Sequence, residues 1–194
     1  MKKIILFSLC FCMLCGCQTS KDKHTSSTSH CDDTKETCGI EILDMKDYED
    51  FNDEEHVFIE SNMKEVISFF KEKEDKIVYF GYPKCPWCKD ALPIMNESAK
   101  EVGKSIYYVE TKDKEGNYLY SDEEKEELFT YISDYLDEDE EGKKHLFVPF
   151  VMVIKDGKVQ SSHLGTLDEH DAVHEKMSDD QIKELHDIYK EMFK

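Results

Sequence analysis

The chain has 194 residues, 44 of them Asp or Glu against 25 Lys or Arg, for a formal net charge of −19. That length suits one globular domain with appendages, and an acidic chain with no long basic run excludes binding driven by nucleic-acid phosphates. The acid is spread over runs such as Asp122–Glu127 and Asp137–Glu141, which read as solvated faces rather than metal cages.

Lys2 and Lys3 precede an apolar run, Ile4 to Met13, too short to span a bilayer comfortably. Leu14-Cys15-Gly16-Cys17 follows. It resembles the bacterial lipobox, in which a small residue precedes the cysteine that is lipidated. By that resemblance residues 1–17 are a lipoprotein signal peptide and Cys17 is the lipidation site. This implies a lipid anchor on the extracytoplasmic face of the cell membrane; a plain signal peptide or an uncleaved anchor is the competing reading. Residues 18–48 are expected to form a polar tether, because the Ser/Thr/Lys/Asp/His stretch over 18–40 has too little apolar content to bury a core.

Of the eight cysteines, Cys10, Cys12 and Cys15 fall in the signal and Cys17 at the lipid site, leaving Cys31, Cys38, Cys85 and Cys88. Outside the cytosol paired cysteines are normally oxidised. A local Cys31–Cys38 disulfide is the simplest reading, with free thiols or a second redox pair as alternatives. His24 and His30 lie nearby, but their spacing fits no standard zinc pattern.

The folded domain is expected over residues 49–194. Its predicted elements are a strand at Val57–Glu60, a helix at Asn62–Lys73, a strand at Lys76–Gly81, a helix at Pro86–Val102 and a strand at Ser105–Glu110. An acidic helix at Asp122–Leu136 follows, with Leu128, Phe129, Ile132 and Leu136 as its apolar stripe. Then come strands Phe150–Ile154 and Lys158–His163, and a helix at Ser178–Phe193 that opens on a capping box and is expected to bury Ile182, Leu185, Ile188, Tyr189 and Met192. The unpatterned segment Thr166–Met177 is expected to leave His170 and His174 exposed. The order predicts an α/β domain, a central mixed sheet with helices on both faces.

Cys85-Pro86-Trp87-Cys88 stands where a strand gives way to a helix. There the first cysteine faces unpaired backbone N–H groups and the positive end of the helix dipole, both of which stabilise a thiolate. Lys84 and Lys89 add positive charge. Cys85 is expected to be the exposed attacking sulfur and Cys88, one turn on and more buried, the resolving one. Pro86 costs nothing at a helix start. A structural disulfide or half a zinc site are the bland alternatives, but no second Cys-x-x-Cys follows in the folded region.

From Val57 to Lys194 the chain resembles the thioredoxin family. Pro93 stands eight residues after Cys85, Val148-Pro149 opens the apolar run Phe150–Ile154, Lys155-Asp156-Gly157 supplies a hairpin turn, and Gly165 stands sixteen residues after Pro149. The resemblance implies a thioredoxin fold and a cis-proline at Pro149 facing the cysteine pair. It also implies that Trp87, Val148 and Pro149 form the substrate-binding surface. Two departures stand out. Tyr79 occupies the position of the buried aspartate of thioredoxins, six residues before Cys85, so proton transfer at Cys88 must use another group or water. The stretch between Cys88 and Pro149 is also longer than in thioredoxins, an acidic helical insertion around Asp113–Lys144 ahead of the proline strand. A narrower resemblance, carried by Gly81 to Cys88, Pro93 and Val148-Pro149, is to the bacteriocin-transport accessory proteins of Gram-positive bacteria.

The expectation is an extracytoplasmic thiol–disulfide oxidoreductase with no cofactor and no metal. Its partners would be the thiols of exported proteins or peptides and a membrane redox partner, with no nucleic acid. The alternatives are an anchored copper chaperone using the cysteine pair with His163 or His145, and a non-catalytic secretion accessory protein acting through the acidic insertion.

Overall fold

The computed structural model describes residues 43–194. Cys17, Cys31 and Cys38, and the signal and tether readings up to residue 42, lie outside the described residues. The elements are β1 (Phe58–Ser61), α1 (Met63–Glu72), β2 (Lys76–Gly81), α2 (Pro86–Glu101), β3 (Ile106–Glu110), α3 (Asp122–Ile132), β4 (Phe150–Lys155), β5 (Lys158–Leu164) and α4 (Asp179–Met192).

The strands form one sheet in the order β1-β3-β2-β4-β5. β3 runs parallel to both β1 and β2, while β4 is antiparallel to β2 and β5 to β4. This is the mixed sheet of a thioredoxin fold, flanked by four helices. β2 lies at its centre, and its run Ile77-Val78-Tyr79-Phe80 is buried throughout, as a strand covered on both faces must be. Alternation along it divides the interior. Ile77 and Tyr79 join the core beneath α2 and α4, with Leu92, Met95, Leu185 and Tyr189. Val78 and Phe80 join the core beneath α1 and α3, with Phe70, Leu128, Ile132 and Phe150.

Local chemistry sets the helix ends. The Asn62 side chain accepts from the Glu65 N–H at the start of α1, and Ser121 with Glu124 and Ser178 with Gln181 close capping boxes on α3 and α4. In the β4–β5 hairpin Asp156 (φ 49°) and Gly157 (φ 69°) both take left-handed backbone, the requirement of a turn that matches the strand twist.

Away from the cysteine pair, the structure departs from expectation in four places. Met45 and Tyr48, assigned to the tether on sequence, are buried in the α2/α4 core, because two large apolar side chains suffice to pin a short polar segment to the sheet. The insertion helix ends at Ile132 and passes into a 3-10 turn, Ser133–Tyr135, while Leu136 still reaches the core. In α4 the buried stripe Leu185, Tyr189 and Phe193 repeats every four residues, and Ile182, in the first turn, is left 40% exposed. His170 is buried rather than exposed: its ring nitrogens meet the Thr166 hydroxyl at 2.8 Å, the Glu175 carbonyl at 3.3 Å and the Asp90 carboxylate at 3.4 Å. Polar partners satisfy it there, so no apolar pattern marks the site. His174 is exposed, as expected, and pairs with Asp171.

Candidate functional site

α2 begins on the cysteine pair. Cys85 is the N-cap residue, with extended backbone (φ −77°, ψ 120°) and Pro86 as the first helical residue. Its sulfur accepts the otherwise orphaned N–H of Cys88 at 3.4 Å. β2 and the turn after it hold this start in place, the Cys85 N–H donating to the Tyr82 carbonyl at 3.2 Å. Further on, Pro93 sits inside α2, where it has no N–H to offer the preceding turn.

Both cysteines are free thiols. Contrary to the expectation of an exposed attacking sulfur, Cys85 keeps only 4% of its surface, and Cys88 keeps none. The physical reason is the loop before β4. The Val148–Pro149 peptide is cis, and the Val148 carbonyl lies 3.6 Å from the Cys85 sulfur, covering it. The Gly165 N–H bonds the Pro149 carbonyl at 2.8 Å and ties that loop to the end of β5. Val148 is half-buried and Pro149 buried.

The two sulfurs titrate in opposite directions. Hydrogen bonding with the Cys88 thiol holds Cys85 below the ordinary thiol range against the effect of burial; the backbone N–H groups of Cys88 and Trp87 and the charge of Lys112 assist. Burial pushes Cys88 well up, and its proximity to Cys85 adds to this. The pair is therefore ordered, with Cys85 the sulfur that ionises first.

The cation acting on Cys85 is Lys112, which sequence reasoning missed. Lys84 instead donates to the Lys114 carbonyl, and Lys89 pairs with Glu49 at 3.3 Å. Lys112 follows β3 and stands over the rings of Tyr82 (5.3 Å) and Tyr118 (4.8 Å), an arrangement that holds an ammonium beside aromatic faces. Only the pairing of β3 with β2, Gly81 opposite Glu110, brings it to the cysteines.

Trp87 is half-buried and packs on the α2/α4 core. Its indole N–H donates to the His170 carbonyl at 3.4 Å, so the Thr166–Met177 segment is latched to the turn that carries Cys85 and Cys88. Tyr79 shares the α2/α4 core with Cys88 and is fully buried, its hydroxyl without a hydrogen-bond partner. Of the histidines considered for copper, His163 bonds the Thr166 carbonyl at 2.7 Å, and His145 packs on Phe147 with ring centres 4.5 Å apart. Among the described residues no three His, Cys, Asp or Glu side chains stand together as a metal site, and no helix is long and apolar enough to cross a membrane.

Neither a family model nor a curated protein matches the chain. Solved structures do. Thioredoxin O1 of Arabidopsis thaliana is similar at 15% identity over 71% of this chain and 98% of that one, with a TM-score of 0.39. Thioredoxin of Fasciola hepatica is similar at 17% identity over 66% and 95%, TM-score 0.36. Mitochondrial thioredoxin 3 of Saccharomyces cerevisiae is similar at 13% identity over 55% and 81%, TM-score 0.35.

Proposed function

We propose that this chain is a thiol–disulfide oxidoreductase, anchored by lipid at Cys17 on the extracytoplasmic face of the membrane, that exchanges disulfides with exported proteins or peptides. The observation that carries the chemistry is the Cys85 sulfur at the start of α2, its pKa lowered, 3.6 Å from the Val148 carbonyl. The Cys85 thiolate attacks one sulfur of a substrate disulfide. A Cys85–substrate bond forms, the substrate bond breaks and the second substrate sulfur leaves as a thiolate. Cys88 then attacks Cys85, closing the Cys85–Cys88 disulfide and releasing the first substrate sulfur. Two electrons pass from the pair to the substrate, and the reverse sequence oxidises a substrate dithiol. An extended segment lying along Val148 and Pro149, beside Trp87, presents its sulfur to Cys85. A membrane redox partner resets the pair.

Cys85→Ser is expected to abolish exchange with a model disulfide; unchanged turnover sinks the proposal. The Cys85–Cys88 potential, equilibrated against glutathione, gives the direction: above about −200 mV it donates disulfides, and near or below about −270 mV it reduces them. Cys17→Ser is expected to move the protein from the membrane fraction to the soluble one. Persistence at the membrane overturns the lipid anchor. The run in Gly81 to Cys88, with Pro93 and Val148-Pro149, supports a place beside the bacteriocin-transport accessory proteins.

A further inference from the structure

The exchange proposed above requires Cys88 to become negative when it resolves the mixed disulfide, and burial opposes that charge. On β2 the fully buried Tyr79 shares the core beneath α2 and α4 with Cys88 and has a hydroxyl without a hydrogen-bond partner, and each of the two side chains influences the titration of the other. Its ring is fixed between Phe58 (centres 6.1 Å apart) and Tyr108 (5.4 Å). Gly81, two residues on, is what leaves the hydroxyl its room, since any Cβ there would overlap it. The Tyr48 hydroxyl bonds that of Tyr108 at 3.1 Å. Three phenols therefore share the core with the buried sulfur. The groups acting on Tyr79 are Cys88, Tyr48 and Tyr108, none of them a carboxylate; Glu110 and Asp47 act on Tyr108.

We propose that Tyr79 is the hydrogen-bond donor that receives the negative charge developing on the Cys88 sulfur as the mixed disulfide is resolved. Burial raises the Tyr79 pKa well above that of a free phenol, so the group stays protonated and donates without acting as a base. In the resolving step the Cys88–Cys85 bond forms, the Cys85–substrate bond breaks, and the proton lost by Cys88 ends on the departing substrate sulfur. A buried hydroxyl without a partner is rare in folded proteins and asks for a reason; here it is a donor held for a charge that exists only during turnover. Hydrogen bonds to charged groups are the strong ones in a water-free interior.

The inference rests on the exchange reading, and the test separates the two. The full chain, reduced, is mixed with oxidised glutathione, quenched with acid at intervals, and the Cys85–glutathione adduct is measured by mass. In Tyr79→Phe the adduct is expected to form at the wild-type rate and to decay roughly ten- to a hundredfold more slowly. Tyr189→Phe is the control: that hydroxyl is equally buried and unpartnered, and only its charge interaction reaches Cys88. It is expected to behave as wild type. Wild-type decay in Tyr79→Phe, or equal slowing in Tyr189→Phe, overturns the role of Tyr79. A wild-type chain that forms neither the adduct nor the Cys85–Cys88 disulfide overturns the exchange reading itself.

Discussion

Two cysteines three residues apart differ because one caps a helix and the other lies inside it. The Cys85 sulfur gathers the Cys88 thiol, two backbone N–H groups and the charge of Lys112, whereas Cys88 meets burial and the neighbouring sulfur. Lys112 is the one part of this balance that a surface substitution can remove cleanly. Lys112→Ala is expected to raise the Cys85 pKa and to lower its alkylation by iodoacetamide at pH 7 roughly two- to threefold, as expected for a partly screened single charge. Alkylation followed against pH measures it, and an unmoved profile would show that the lysine serves only to pack Tyr82 and Tyr118.

At the scale of elements, the turn that carries Cys85 and Cys88 is held from two sides. The loop before β4 covers Cys85, and the Thr166–Met177 segment reaches Trp87 through the His170 carbonyl. The buried His170 ring organises that segment through Thr166, Glu175 and Asp90. His170→Ala strands these partners and is expected to cost about 1–3 kcal/mol. Trp87 is the only tryptophan in the chain, so its emission reports on the latch directly. A red shift in His170→Ala with the midpoint of urea unfolding lowered is the expected result; unchanged emission would mean that the segment holds without the ring.

Across the whole molecule, the core beneath α2 and α4 is unusually rich in phenols. Tyr48, Tyr79, Tyr108 and Tyr189 all have pKa values raised by burial above the ordinary 10.0. An acid whose folded pKa is raised contributes full stability below its unfolded value and loses it as pH rises beyond. The fold is therefore expected to keep its thermal midpoint through neutral pH and to lose it steeply above about pH 10. Melts across pH 8 to 11 measure this; a flat midpoint would place these hydroxyls in water. The reduced Cys88 thiol adds a loss in the same direction, beginning near the ordinary thiol value of 9.0, whereas Cys85, with its lowered pKa, adds stability only as pH rises towards that value.

The sequence by itself determined most of the element order, the capping box of α4, the β4–β5 turn and the position of the cysteine pair at a helix start. Each of these is written in neighbouring residues: apolar period, cap chemistry, Asp-Gly, Cys-x-x-Cys. Only the tertiary structure decided which cation serves Cys85, because Lys112 arrives through strand pairing while Lys84 and Lys89 turn to other partners. It also decided that His170 is buried, that Met45 and Tyr48 belong to the core, and that Tyr79 stands unpartnered in the core it shares with Cys88. These depend on contacts between distant segments, where a polar side chain is buried because partners happen to meet it, and no local periodicity records that meeting.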